Sequence, residues 1–153
     1  MEDQAFELDD ATVTVPTPEG AEFNDLQGLA EGERHLTWTA GPEAFFMVSA
    51  GADPAYTPAA LPDEVDSDEP APLAGTGARR IAYRETKRRP RRIVEGRGSV
   101  PEQTIRLLSD LVFVPGAHEQ LRIGYRVPED APEELRTLLA RMLDGVKVRR
   151  RDG

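Results

Sequence analysis

The sequence predicts an α+β fold: a largely antiparallel sheet of about six strands, with a short N-terminal helix and a strong C-terminal amphipathic helix packed on it. Several segments alternate apolar and polar residues with a period of two, as half-buried strands do. A segment close to the C-terminus instead carries an apolar stripe of helical period. At 153 residues the chain has the length of one domain with a sizeable core, so we predict a single domain over residues 1–153.

The first predicted elements are a strand and a short helix. Val13 and Val15 alternate with threonines at the end of residues 6–15, a pattern typical of a strand, and Pro16 ends it. Residues 22–31 place apolar side chains at spacings of three and four, which favours a short helix.

Two further strands are predicted at residues 35–40 and 44–50, joined by a connection of hairpin length. Leu36 and Trp38 share one face of the first strand. The second strand contains the uninterrupted apolar run of residues 45–48, which favours a central strand covered on both faces.

Residues 53–77 are predicted to form a mobile, acidic and Pro-rich insertion within the domain. The segment has five prolines, an acidic run at residues 63–69 and almost nothing large to bury. It cannot offset the entropy lost on ordering through apolar contacts. The acidic run has oxygen ligands for calcium but lacks the loop glycine and flanking helices of an EF-hand, so a solvated charge run is the preferred interpretation.

A basic hairpin is predicted to follow this insertion. Apolar and polar residues alternate over residues 79–87, residues 88–91 have the composition of a turn, and residues 92–97 return as the second strand. Over residues 79–97 nine cations stand against two glutamates, with Tyr83 interleaved as a stacking platform. This hairpin is the strongest candidate for a binding surface in the sequence, and the alternative interpretation is a solvated strand face without a partner.

The chain then contains two segments with strand patterns. Residues 101–110 fit two interpretations, because Ser99 and Glu102 match a helix capping box while the apolar residues alternate. We favour the strand and leave the helix open. Residues 120–127 alternate throughout and predict a further strand.

The main helix is predicted after these strands. Asp130 is expected to cap it, with Pro132 in its first turn and Gly145 at its end. Residues 146–148 then predict a last short strand. The apolar stripe of the helix consists of Leu135, Leu138, Leu139, Met142 and Leu143.

This C-terminal frame resembles the PsbP-like α/β/α sandwich. The resemblance is carried by the segment Leu-Arg-Ile-Gly-Tyr-Arg-Val-Pro of residues 121–128, the helix through Leu143 and the strand Val-Lys-Val of residues 146–148. It implies an antiparallel sheet closed by a C-terminal helix and a brief strand. Its known members are mostly non-enzymatic binding or assembly factors and lipoproteins, so the resemblance implies a binding module and no transferable site residue. The acidic insertion at residues 53–77 has no counterpart in that frame.

The charge of the chain changes sign along its length. Residues 1–77 contain 17 acidic residues and one basic residue, whereas residues 78–153 contain 18 basic and 11 acidic residues. The net charge of −9 is therefore a property of the N-terminal half. A chain divided in this way can steer a partner or fold one half onto the other.

Composition and motifs exclude several chemistries. The chain has no cysteine, which removes disulfides, thiolate catalysis and cysteine metal sites. His35 and His118 stand alone in sequence and are interpreted as surface or capping residues. No serine lies in a nucleophile motif, and the glycine pairs lack the full phosphate-binding pattern. We predict no catalytic residue, no metal, no cofactor and no membrane segment, and we expect a cytoplasmic location.

We therefore predict a non-enzymatic protein-binding or assembly module of bacterial type, which acts through the basic hairpin and the acidic N-terminal half. The expected partner is a protein with an acidic surface, because guanidinium groups offer planar donor pairs to carboxylates. The residues expected to contact it are Arg80, Arg84, Arg88, Arg89, Arg91 and Arg92.

Two alternatives belong to other classes. The first is a small nucleic-acid-binding regulator that uses the same hairpin, with the acidic insertion as an intramolecular competitor. The second is a small-ligand or enzymatic pocket between sheet and helix, for which Tyr83 and Tyr125 are the natural lining residues. Core packing is the preferred interpretation of both tyrosines.

Overall fold

The computed structural model describes residues 1–26, 32–52, 64–71, 77–116 and 118–150, and for Arg89 it describes the backbone alone. These residues form twelve strands and one helix. The elements are β1 (Glu2–Glu7), β2 (Ala11–Thr17), β3 (Asn24–Asp25), β4 (Arg34–Gly41), β5 (Ala44–Gly51), β6 (Val65–Pro70), β7 (Arg79–Arg89), β8 (Arg92–Val94), β9 (Gly98–Val100), β10 (Gln103–Val114), β11 (Gln120–Pro128), α1 (Glu133–Asp144) and β12 (Lys147–Arg150).

The strands form one large sheet and two small ones. The large sheet has seven strands in the order β3-β4-β5-β11-β10-β7-β6, and all its neighbours are antiparallel. A three-stranded sheet has the order β1-β2-β12, so the last strand of the chain pairs with the second. The strands β8 and β9 pair only with each other.

The main core lies between one face of the large sheet and a second layer made of α1 and the three-stranded sheet. Val13 and Val15 of β2 are fully buried there, and so are Phe46 of β5 and Ile123 of β11. The strict alternation of β2, with Ala11, Val13, Val15 and Thr17 buried, follows from its one apolar face. The opposite face of the large sheet carries a smaller buried cluster of Ile81, Leu111 and Phe113, with Met47 and Tyr83 against it.

The helix α1 covers the large sheet with its apolar stripe, as predicted. Leu139, Met142 and Leu143 are fully buried and belong to the main core. The predicted cap is wrong by two residues, because Pro132 occupies the N-cap position and no side chain caps the helix. Gly145 ends α1, and a Cβ atom at this position would lie 2.6 Å from Cγ of Pro16.

The predicted fold class is wrong in its balance and in its first helix. The described residues are mostly strand with one helix, and the short N-terminal helix is not present. Instead Asn24 and Asp25 form β3 on the edge of β4, while Phe23 packs against Phe6 with the ring centroids 4.8 Å apart. Local spacing favoured a helix, but the free edge of β4 offers backbone partners and the core offers a place for the ring. Residues 27–31 of that predicted helix lie outside the described residues.

The predicted insertion and hairpin also need correction. Residues 65–70, inside the segment predicted as a mobile loop, form the edge strand β6 on β7. Residues 53–63 and 72–76 of the same segment lie outside the described residues. The strand β7 does not turn back at residues 88–91, because its partner is β10, with Arg89 opposite Gln103. Residues 101–110 fall mainly in β10, so the preferred strand interpretation is confirmed.

Candidate functional site: a basic arm

The strands β7 and β10 extend beyond the large sheet as a two-stranded ribbon. The pairing of β11 with β10 begins at Leu107, and the pairing of β6 with β7 ends at Tyr83. Residues 86–89 and 103–106 therefore form a two-stranded ladder without a third strand beside it in the described part of the chain, and the hairpin β8-β9 continues from their ends. We call residues 85–106 the arm. At about 3.4 Å per residue, the ribbon alone is roughly 15 Å long.

The arm has no core of its own. None of its described side chains is buried, and most are exposed. Ile93 on β8 is 87% exposed, the highest value among the exposed large hydrophobic residues. A two-stranded ribbon without apolar burial is marginally stable by itself in water. The arm is therefore mostly exposed, and Ile93 is the apolar side chain on it that faces solvent, whereas Val94, Val100 and Ile105 are half-buried.

The arm is basic. Its seven cations stand against three glutamates. Lys87 holds it to the β4-β5 turn through an ion pair with Glu43, with Nζ and Oε2 3.2 Å apart. The cations nearest its tip are less engaged: Arg91 donates from Nη2 to Oγ of Ser99 at 3.1 Å.

The six arginines predicted to contact a partner are divided between two settings. Arg91 and Arg92 are exposed on the arm, and Arg88 on the same arm pairs with Glu102. The side chain of Arg89 lies outside the described part of the chain. Arg80 and Arg84 lie on β7 below the arm, where both are held in ion pairs within the fold.

Arg80 is a structural residue. Its Nε and Nη2 donate to the two carboxylate oxygens of Asp110 at 3.0 and 2.9 Å, and its Nη1 donates to Asp144 at 2.6 Å. These bonds raise the pKa of Arg80 above its ordinary value, against the effect of burial. Three of the five N–H donors of this guanidinium are therefore used within the fold, where they join β7, β10 and α1.

A row of acidic residues lies along the base of β7. Asp68 pairs with Arg79, and Asp66 pairs with Arg84, which also contacts Glu129. The acidic strand β6 therefore neutralises part of the predicted basic surface from within the chain. Arg84 and Asp66 are both well exposed, and their hydrogen bond raises the pKa of Arg84.

A cleft of about 410 Å³ lies between the large sheet and α1. Tyr83 and Tyr125 both border it, as the sequence predicted for a pocket in this place. Their side chains nevertheless pack into different clusters, Tyr125 with the main core and Tyr83 with the small cluster on the opposite face. Burial, followed by the nearby Asp110 carboxylate, raises the pKa of Tyr125 to about 12. The tyrosines are thus explained by packing, and the charged residues Asp66, Arg84, Asp110, Glu133 and Arg136 also border the cleft.

The two histidines have different surroundings. His35 on β4 forms a hydrogen bond between Nδ1 and the buried Oγ of Ser49, 2.7 Å apart. Burial and then the charge of Arg122 lower the pKa of His35. Ser49 is fully buried, so this pair cannot act on a substrate and instead joins β4 to β5. His118 is exposed in the β10-β11 turn.

Sequence reasoning missed one buried carboxylate. Glu119 is 4% exposed, and its Oε1 accepts a hydrogen bond from the backbone N–H of Asp10 at 3.1 Å. Its Oε2 is buried without a hydrogen-bond partner among the described residues. Burial raises the pKa of Glu119, and the charges of Asp10 and Asp9 act in the same direction. No local motif marks this residue, because its partner is 109 positions away.

The described residues contain no group of three or more His, Asp or Glu side chains placed to hold a metal ion. Within the same part of the chain no helix is both long and apolar enough to cross a membrane. Comparisons of the chain with protein-family models, with curated proteins and with solved structures found no match.

Proposed function

We propose that this protein is a non-enzymatic protein-binding or assembly module that docks an acidic surface of a partner protein with its arm. The observation that carries the proposal is a projecting ribbon without buried side chains that presents Arg91 and Arg92 beside the exposed Ile93. Exposed cations around an apolar side chain suit an acidic surface with a small apolar pocket. The proposed location is the cytoplasm.

The expected contact set is smaller than the one proposed from sequence. Arg80 and Arg84 are occupied by Asp110 and Asp66, so they support the base of the arm. Arg91 and Arg92 remain as the proposed contact residues, with Ile93 as the apolar anchor. The exposed Ile93 next to these cations favours a protein partner over nucleic acid, because a phosphate backbone offers no apolar pocket for it.

The order β11, α1 and β12 supports the PsbP-like resemblance as a second part of this proposal. In that frame a C-terminal helix and a brief strand close an antiparallel sheet. Here α1 packs on β11 of the large sheet, whereas β12 pairs with β2 in the three-stranded sheet. The resemblance carries a binding role and no site residue.

The test compares two variants with the same change in charge. Arg91→Gln/Arg92→Gln alters the arm, whereas Arg136→Gln/Arg141→Gln alters two exposed arginines of α1. A partner is captured from the native host by the wild type, and its association rate is then measured with each protein at about 0.05 M and about 0.5 M salt. We expect roughly tenfold slower association for the arm variant at low salt, no change for the α1 variant, and little difference at high salt.

Ile93→Ser completes the test, because loss of an apolar anchor should raise the dissociation rate at both salt concentrations. If the arm variant and the wild type capture the same partners with equal rates, the arm is not the binding surface. Tight binding of double-stranded DNA with a steep salt dependence would instead support the nucleic-acid alternative.

A further inference from the structure

The acidic strand β6 is attached to the large sheet without apolar burial. All six of its residues are exposed, including Val65 at 45%. Its ladder with β7 contains an irregularity between Val65 and Ser67, and Pro70 at its end has no N–H to donate. Strands that bury little apolar surface open at low free-energy cost compared with the core.

Ion pairs supply the specific attraction between β6 and its neighbours. The distances are 2.6 Å from Arg79 Nε to Asp68 Oδ1 and 2.9 Å from Arg84 Nε to Asp66 Oδ2. All four side chains are between 37% and 46% exposed, so salt screens these pairs. Immediately before β6, Glu64 pairs with Arg106 and its carbonyl accepts a hydrogen bond from the backbone N–H of Arg84 at 3.0 Å.

Opening of β6 would uncover a strand edge with a defined chemistry. The outer edge of β7 would present unpaired backbone N–H and C=O groups over residues 79–84, together with the guanidinium groups of Arg79 and Arg84. An extended protein segment can satisfy such an edge by adding a strand, and acidic side chains then match the arginines. A nucleic acid matches the charges but not the strand-pairing groups.

We propose that the outer edge of β7 is a docking site for an acidic, extended segment of a partner protein, and that β6 is the chain's own occupant of that site. The partner segment displaces β6 and forms the same ladder and ion pairs. This edge lies below the arm and does not involve Arg91, Arg92 or Ile93, so the inference does not rest on the proposed function.

The experiment weakens the attachment of β6 to β7 and adds a peptide that can take its place. Asp66→Asn/Asp68→Asn removes the two carboxylates of β6 that pair with β7, and Glu2→Gln/Asp3→Asn makes the same charge change on the exposed edge strand β1. The probe is a synthetic peptide with the sequence of residues 64–71. Backbone amide shifts of β7 are followed by NMR at low salt as the peptide is added to each full-length protein.

We expect the peptide to shift the amides of residues 79–84 and to bind the Asp66→Asn/Asp68→Asn protein about fivefold more tightly than the wild type or the β1 variant. When Arg79→Gln/Arg84→Gln is added to the Asp66→Asn/Asp68→Asn protein, β6 is still released, but the arginines that pair with the peptide are gone. We therefore expect the peptide to cause no shifts in that protein. Arg91→Gln/Arg92→Gln should leave peptide binding unchanged, which separates this inference from the proposed function.

Three results would overturn the inference. One is an equal affinity of the peptide for the wild type and the Asp66→Asn/Asp68→Asn protein. Another is equal binding of a peptide of the same composition with its proline at the centre, because that peptide cannot form the ladder. The third is a larger change in the amide shifts of β7 on addition of single-stranded DNA than on addition of the peptide, because that result would indicate charge attraction alone.

Discussion

Arginines at the base of β7 and arginines just beyond its far end have opposite settings. At its base Arg80 forms a bidentate pair with Asp110 and a further bond to Asp144, and its side chain is 29% exposed. At the tip beyond β7, Arg91 donates to a single serine hydroxyl, and Arg92 is exposed. The base arginines have carboxylates within reach on β6, β10 and α1, whereas the tip arginines lie beyond the ends of those elements.

This difference shows that a run of arginines does not by itself mark a binding surface. The relevant quantity is how many of its donors the fold already uses. Residues 79–97 form one cationic stretch in sequence, yet the fold engages Arg79, Arg80 and Arg84 in ion pairs within the chain and leaves the residues that follow β7 exposed on the arm. Apolar and acidic residues of the chain also occur in two settings, one buried in the fold and one exposed. Four predictions test this difference between buried and exposed residues.

The largest effect on the free energy of unfolding is expected in the main core. Leu139 of α1 is fully buried in the main core, so Leu139→Ala should lower the free energy of unfolding by about 2–5 kcal/mol. Urea denaturation with an unchanged m-value would measure it. A loss below about 0.5 kcal/mol would contradict the packing of α1 against the sheet.

The second prediction compares an arginine at the base of β7 with an arginine on the arm. Arg80→Gln leaves Asp110 partly buried without its cation, so we expect a loss of about 1.5–3 kcal/mol of stability. Arg92→Gln, the matched change on the arm, should alter stability by less than about 0.5 kcal/mol. Equal effects of the two substitutions in urea denaturation would remove the distinction between base and tip.

Many of the strands and the helix around the main core could be predicted from local sequence patterns. The alternation at Val13 and Val15 and along residues 120–127 identified β2 and β11, and the helical stripe identified α1. These elements have one buried face, so burial imposes a period on the sequence that can be read without knowing the partner element. The last strand was also predicted, although its partner β2 was not.

The errors concern partners that are distant in sequence. Residues 22–31 have helical spacing, but the edge of β4 takes Asn24 and Asp25 as a strand. The turn predicted at residues 88–91 fails because β7 finds a longer partner in β10. In each case the backbone pairing depends on a segment whose position is decided by the whole fold.

The acidic strand β6, below the arm, illustrates the same limit of sequence-based prediction. Its composition indicated no apolar burial, and all six residues are indeed exposed. The prediction of a loop was wrong for residues 65–70, because the backbone ladder and the arginines of β7 provide the contacts that apolar side chains do not. The change of charge along the sequence therefore corresponds to ion pairs within the chain, between β6 and β7. The sequence pattern alone could not distinguish such pairs from ion pairs with a partner protein.

The third prediction uses the acidic residues. Glu119 is buried beside Asp10, whereas Asp68 on β6 is exposed. Because burial raises the pKa of Glu119, the folded state holds its proton at higher pH than the unfolded state. Stability contributed by this group is present at low pH and is lost as the pH rises through the raised pKa of the folded state.

Glu119→Gln keeps the acceptor for the Asp10 N–H and removes the charge. The variant should be more stable than the wild type at neutral pH, by less than the effect of Arg80→Gln, and its advantage should shrink as the pH falls toward the ordinary carboxyl range of about 4. Urea denaturation from about pH 4 to about pH 8 measures this difference. A difference that stays constant with pH would show that the Glu119 carboxylate does not change its proton affinity on folding.

The smallest effect on stability is expected at the most exposed apolar residue. Ile93 is 87% exposed and Leu139 fully buried, so Ile93→Ser removes almost no buried area and should change the free energy of unfolding by less than about 0.5 kcal/mol. Urea denaturation of the purified variant, beside Leu139→Ala, provides the measurement and its matched control. A loss above about 1 kcal/mol would mean that Ile93 is covered within the folded chain in solution, and it could not then serve as the anchor of the arm. An unchanged stability together with faster dissociation from the partner would separate folding from binding at this position, because the same side chain would be dispensable to the fold and needed for the complex.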